Sequence, residues 1–109
     1  MSKEIDYVQL GLKIKEIRKS KSITQSQLAE MVDVNPSHIS NMENAYTKVS
    51  LSVLVSVANA LETSVDYILY GNYSNTKNII EKEILFTIKE LDEKTKEKVL
   101  KIIEVIKNN

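Results

Sequence analysis

"TQSQLAEMVDVNPSHISNMEN", residues 24–44, is the stretch on which the fold turns. Its first half sets Leu28, Ala29 and Val32 at helical spacing behind Thr24, a residue suited to capping a helix start. Asp33 and Val34 make a turn. Asn35 is then expected to cap a helix with Pro36 at its first position, where proline is tolerated because the N–H it lacks has no intrahelical acceptor. A second short helix is therefore predicted over 36–45, although the segment is almost wholly polar. On a wheel of about 100° per residue, Ile39, Met42 and Glu43 fall on one side. Ser37, Ser40, Asn41 and Asn44 fall opposite, with His38 on the flank.

An outward face of this kind has two readings. One is an ordinary solvated surface, but such surfaces usually carry Lys, Glu and Arg, which favour helix and solubility. Ser and Asn form helices less well and need another reason to be there. The second reading supplies it: groups that both donate and accept match the base edges of a major groove, where Asn pairs bidentately with adenine. Two short helices about a tight turn are the unit that presents such a face.

Glu43 lies on the inward side, and a buried carboxylate without a partner costs several kcal/mol (about 3–5 when one member of a pair is removed). Arg18 stands at the edge of the apolar stripe Leu10, Ile14 and Ile17 of the preceding helix, and its fork suits a bidentate carboxylate. The expected contact is an Arg18–Glu43 pair tying that helix to the end of the polar one. The alternative is two unrelated surface charges.

The rest of the chain extends this pattern. With 109 residues, two glycines, one proline and abundant Leu, Ile, Lys and Glu, it reads as all-α. Helices are expected at 4–21, 25–32, 36–45 and 51–61, where Ser50 precedes Leu51, Leu54, Ala58 and Leu61 as an inward set. A short helix ends at Gly71, a polar linker spans 72–77, and two further helices cover 78–91 and 93–107, the second capped by Asp92. The absence of cysteine excludes disulfides and thiolate chemistry. A single histidine, no Gly-rich phosphate loop and no metal-spaced ligand set argue against an enzyme and against any cofactor. The charged N-terminus does not suit a signal peptide and no apolar run reaches membrane-spanning length, so a cytoplasmic protein is expected. Net charge is zero, yet Glu43 is the only acid between Val34 and Leu61, and residues 17–28 carry Arg18, Lys19 and Lys21 with none. A neutral total thus leaves an acid-poor surface around the polar helix.

Roughly residues 7–71 resemble the Xre family of phage Cro/repressor-type helix-turn-helix domains. The likeness lies in Ile14 and Ile17-Arg18, Thr24-Gln25 with Leu28-Ala29, Ile39-Ser40 with Glu43-Asn44, and Ala58, Leu61, Val65, Asp66 and Leu69. The resemblance implies a five-helix, repressor-like DNA-binding domain over 1–71. It implies that Gln25 meets DNA backbone and sometimes a base, that Ser37, His38 and Asn41 meet bases, and that Asn44 and Lys48 touch phosphate. It also makes the Arg18–Glu43 pair a recurrent family feature. For His38 the residues themselves leave open a base, a phosphate or plain solvent. The family commonly has glycine where this chain has Asp33, Ala45 and Glu62; either those turns differ or each carries on the order of 1 kcal/mol of strain.

Residues 78–109 lie outside the resemblance and are expected to form a C-terminal helical hairpin. Ile80, Ile84, Ile88 and Leu91 form one stripe while Ile79 and Phe86 point away; on the second helix Val99, Ile102, Ile103 and Ile106 align. Apolar surface on several faces calls for more than one partner. Part of it is expected to meet Ile5, Val8 and Leu12 of the first helix, in the same chain or a neighbour, and the rest to make a homodimer. The function expected is a dimeric DNA-binding transcriptional regulator, a repressor rather than an activator, on palindromic double-stranded DNA, with an antagonist protein able to insert at the C-terminal helices. Antitoxins and restriction–modification controllers share this size, and a protein-binding adaptor without DNA reading is the alternative of another class.

Overall fold

Short polar side chains set the helix starts. The computed structural model describes residues 4–73 and 78–109. Asp6, Thr24, Ser50 and Ser64 each accept the N–H three residues on, opening α1 (Tyr7–Ser20), α2 (Gln25–Met31), α4 (Leu51–Ala60) and α5 (Val65–Ile68). Gln27 returns the bond to the Thr24 N–H, completing a capping box. Asn35 occupies the same place before α3 (Pro36–Glu43), but its side chain makes no capping bond; Pro36 alone marks that start. A 3₁₀ turn, Tyr70–Asn72, follows α5, and beyond it lie α6 (Ile79–Ile88) and α7 (Glu93–Lys107), the latter capped by Asp92.

The helix ends are more uniform than their sequences suggest. Ser22, Asp33, Ala45 and Glu62 have φ of 57°, 58°, 60° and 54°, all left-handed and none of them glycine. After each, the next N–H reaches back five residues: Ile23 to Arg18 O at 3.2 Å, Val34 to Ala29 O at 3.0 Å, Tyr46 to Asn41 O at 2.8 Å, and Thr63 to Ala58 O at 3.0 Å. This is one Schellman-type stop used four times. It resolves the turn question in favour of strain, and adds Ser22 to the set. It also shortens α3 from the expected 36–45 to 36–43, since a left-handed residue cannot continue a right-handed helix. Strain of roughly 1–2 kcal/mol per left-handed residue is matched by burial of a single leucine or isoleucine, roughly 1.5–3 kcal/mol.

The core draws on all five of these helices: Leu10, Ile14 and Ile17; Leu28 and Ala29; Ile39 and Met42; Leu54, Val57, Ala58 and Leu61; and Ile68. Two corrections concern α4. Val57 is fully buried, and Leu51, expected inward, is 75% exposed. Leu51 has the right angular position but stands in the first turn, at the rim of a shallow groove with Ile5, Tyr7, Val49 and Leu69. A helical wheel predicts direction, not how far along the axis the neighbours extend.

One glycine is required by a close approach. A β-carbon on Gly11 would lie 2.5 Å from Met42 O and 2.6 Å from Glu43 O, so only glycine lets α1 rest on the last carbonyls of α3. The ends of this unit also meet: the Asp6 N–H donates to Asn72 Oδ1 at 2.6 Å, and the Tyr73 hydroxyl donates to Asp66 Oδ1 at 2.6 Å. That bond to Asp66 holds the Tyr73 phenol above its ordinary pKa. Asn72 and Tyr73 are thus tied to the five-helix unit; of the expected linker 72–77, residues 74–77 lie outside the described residues.

Candidate nucleic-acid interface

The placement of α3 rests on one carboxylate. Arg18 Nε donates to Glu43 Oε2 at 2.6 Å and Arg18 Nη2 to Glu43 Oε1 at 3.0 Å, a bidentate pair with side chains only 7% and 1% exposed. The remaining Arg18 donor, Nη1, goes to Ile23 O at 2.7 Å in the turn between α1 and α2. Charge-assisted bonds of this geometry are roughly twice as strong as neutral ones, and each guanidinium nitrogen and each carboxylate oxygen has a partner. The bidentate contact inferred from the helical wheel is therefore present in the structure.

A further bond was not legible in the sequence. Gln25 Nε2 donates to Glu43 Oε1 at 2.9 Å, so the first residue of α2 is fastened to the last of α3. Side chains of α1 and α2 therefore converge on Glu43 of α3, and Arg18 ties in the turn between α1 and α2. Gln25 was expected on DNA backbone; one amide proton is engaged here, and its second N–H and its carbonyl oxygen are left for an external partner. No periodicity signals this bond, because Gln25 and Glu43 lie 18 positions apart on different helices.

The outward residues of α3 stand as follows. Ser37 and Asn44 are exposed; His38, Ser40 and Asn41 are half-buried. Asn44 Nδ2 reaches Ser40 Oγ at a long 3.4 Å, a weak bond that leaves both groups available. The Asn41 carbonyl is taken by the Tyr46 N–H, so the Schellman stop anchors the helix end while the Asn41 amide makes no bond within the described residues. Neither does the imidazole of His38. Lys48 is exposed in the loop after α3, with Nζ 5.8 Å from the Tyr7 ring centroid, and so sits by the start of α1 rather than beside an α3 side chain. Ser37, Asn41 and Asn44 thus share the uncharged face of one pinned helix, Gln25 joins it through Glu43, and Lys48 stands apart at its edge.

The residues expected to associate are also outward. No residue of α6 or α7 is buried. Ile80, Ile84, Phe86, Ile102, Ile103 and Ile106 are 40–67% exposed, and Ile79, Ile88 and Val99 are half-buried. Ile5, Val8 and Leu12 remain exposed, so this chain does not itself cover them. No helix among the described residues is long and apolar enough to cross a membrane.

The helix-turn-helix family model matches residues 14–68. The HTH-type transcriptional regulator ImmR of Bacillus subtilis is 32% identical over 90 residues, covering 79% of this chain and 71% of ImmR. Two rickettsial HTH-type transcriptional regulators also match, and the chain spans about half their length. Among solved structures, the P22 c2 repressor bound to a synthetic operator is 35% identical with a TM-score of 0.54, covering 57% of this chain and 94% of that one. A chain of the SinR protein/SinI protein complex is 26% identical with a TM-score of 0.57, and that likeness extends over 92% of this chain and 99% of the other.

Proposed function

The chain belongs to the Xre-type helix-turn-helix family of transcriptional regulators, and we propose that it is a cytoplasmic, non-enzymatic repressor that reads a palindromic operator as a homodimer. In this reading α3 enters the major groove. Ser37 and Asn41 meet base edges with His38 beside them, while Gln25, Asn44 and Lys48 hold phosphates. The observation that carries it is the uncharged face of α3, with donors and acceptors free, on a helix that Arg18 and Gln25 fix through Glu43. A solvated surface has no need of such fixing; a base-reading one does, because bidentate base contacts tolerate little displacement. The operator complex of the similar P22 c2 repressor supports the DNA assignment.

The dimer forms through α6 and α7, where Ile80, Ile84, Phe86, Ile102, Ile103 and Ile106 are exposed and Ile79, Ile88 and Val99 are only half-buried by the rest of the chain. Symmetric association places two α3 helices on half-sites about 34 Å apart. The same surface can take an antagonist protein in place of a second copy. The likeness to a chain of the SinR/SinI complex, which runs through this region, supports that arrangement.

Selection from random duplex DNA with the full chain is the test. A palindrome with half-sites about one helical turn apart is expected. Asn41→Ala then relaxes one base position at a loss of about 1–3 kcal/mol, whereas Lys48→Ala weakens all sequences alike and lowers the salt dependence. Recovery of no enriched sequence would sink the proposal.

A further inference from the structure

Among the described residues, the side-chain hydrogen bonds that join the five-helix unit to α6 and α7 all end on one group. Glu83 Oε2 accepts from Thr63 Oγ1 at 2.7 Å and Glu83 Oε1 accepts from Ser64 Oγ at 2.8 Å. Both hydroxyls sit on a rigid platform. Glu62 is left-handed with φ 54°, and the Thr63 N–H is bound to Ala58 O at 3.0 Å. Thr63 is itself buried. Ser64 Oγ also accepts from the Tyr67 N–H at 3.0 Å as the cap of α5, so its proton is directed away from α5 and toward the carboxylate. Two hydroxyls on adjacent residues thus grip two oxygens of one carboxylate, which fixes rotation as well as distance.

The rotation matters because of what else α6 carries. At about 100° per residue, Ile80, Ile84 and Ile88 lie between roughly 60° and 140° around the helix from Glu83. Holding Glu83 against residues 63 and 64 therefore determines which way that exposed stripe faces relative to α3. Resting on the dimer reading above, we propose that Glu83 is a positioning residue that selects half-site spacing: it fixes the angle between reading domain and dimerising helices, and so the separation and relative rotation of the two α3 helices. A change of one base pair displaces a half-site by about 3.4 Å and turns it by about 35°. A rigid junction rejects that change; a loose one absorbs it.

The experiment uses full-length wild type, Glu83→Ala, Thr63→Val and Glu83→Gln. Each is titrated onto duplexes carrying the selected half-sites at the preferred spacing and at one or two base pairs more or less. Sedimentation and binding to a single half-site run in parallel. The wild type is expected to favour one spacing. Glu83→Ala and Thr63→Val should reduce the affinity ratio between best and adjacent spacings at least about threefold, with dimerisation and single half-site affinity unchanged. Glu83→Gln should keep most of the preference, since an amide can both accept from and donate to hydroxyls. An unchanged ratio in Glu83→Ala overturns the inference, as does an equal loss at every spacing, which would make Glu83 a support of the fold alone. A wild-type chain that stays monomeric overturns the dimer reading itself, and sedimentation tells that result from the others.

Discussion

Residues 4–73 and the pair α6–α7 treat the same kind of side chain in opposite ways. In the first region twelve apolar residues from five helices are buried together. Two cations of structural weight, Arg18 on Glu43 and Lys13 over the rings of Tyr67 and Tyr70 at 4.4 and 5.0 Å, add directional ties. In the second region leucines, isoleucines and the one phenylalanine are more frequent still, yet none is buried. The difference teaches that apolar content alone does not make a core; a helix needs neighbours along its length. The five short helices supply one another's neighbours because four identical stops reverse the chain within a few residues. The two C-terminal helices have one turn between them and one carboxylate reaching back, so their apolar stripes stay open to a second molecule.

The largest expected effect breaks the comparison from the buried side. Arg18→Ala leaves Glu43 uncompensated beneath α3 and should cost about 3–5 kcal/mol of unfolding free energy, measured by denaturant titration. Ile106→Ser is its counterpart on the open side. Ile106 is 67% exposed in the single chain, so its change should leave unfolding of the five-helix unit untouched and appear only as weaker association in sedimentation. If Arg18→Ala cost no more than a surface substitution, about 0.5 kcal/mol or less, the pair would not be what holds α3.

A smaller change sharpens the comparison by testing its turns. Ala45 is left-handed at φ 60° and, unlike Asp33 or Ser22, has no polar side chain that can bond locally to ease that conformation. Ala45→Gly removes the strain but gives the unfolded chain more freedom, an entropy difference of about 0.4–1 kcal/mol. Because the strain is roughly 1–2 kcal/mol, the balance favours glycine. A stabilisation of about 0.5–1 kcal/mol is expected, seen as a raised melting temperature. Destabilisation would show that the Schellman stop after α3 needs the alanine methyl.

Much of this is legible in the sequence. The stripe Leu10, Ile14 and Ile17, the caps Thr24, Ser50 and Asp92, and the inward set Ile39, Met42 and Glu43 all follow from 3.6-residue periodicity and side-chain chemistry, which act locally. The Arg18–Glu43 contact could also be argued, because a buried carboxylate demands a cation and few cations lie at a core edge. What escaped was whatever depends on how helices are placed in three dimensions. Leu51 faces the right way but stands in the first turn of α4, at the rim of a groove rather than under cover. Gln25 meets Glu43 only where α2 and α3, 18 positions apart at this bond, pack together. Glu83 reads as one more solvated acid until α5 is brought beside it. Asn35 failed as a cap although its residue type favours the role, since Pro36 already specifies the start.

The smallest effect bears on the open region, where helix formation rests on local signals. Asp92 accepts from the Thr95 N–H at 2.8 Å, and hydrogen bonds from the Thr95 side chain and then its N–H hold the Asp92 carboxyl below its ordinary pKa. A carboxyl with a lowered folded-state pKa lends its helix stability above the unfolded-state value, and loses it as pH falls through the folded-state value. Acidification into and below the carboxylate range should therefore fray the start of α7, read as faster amide exchange at Thr95, before the buried helices respond. Asp92→Asn keeps an acceptor oxygen but cannot titrate in that range, so its Thr95 amide should show no such acid-dependent loss. Equal acid response in the two proteins would mean that α7 is held by something other than its cap, and that the open helices are less dependent on local signals than the contrast with the buried five requires.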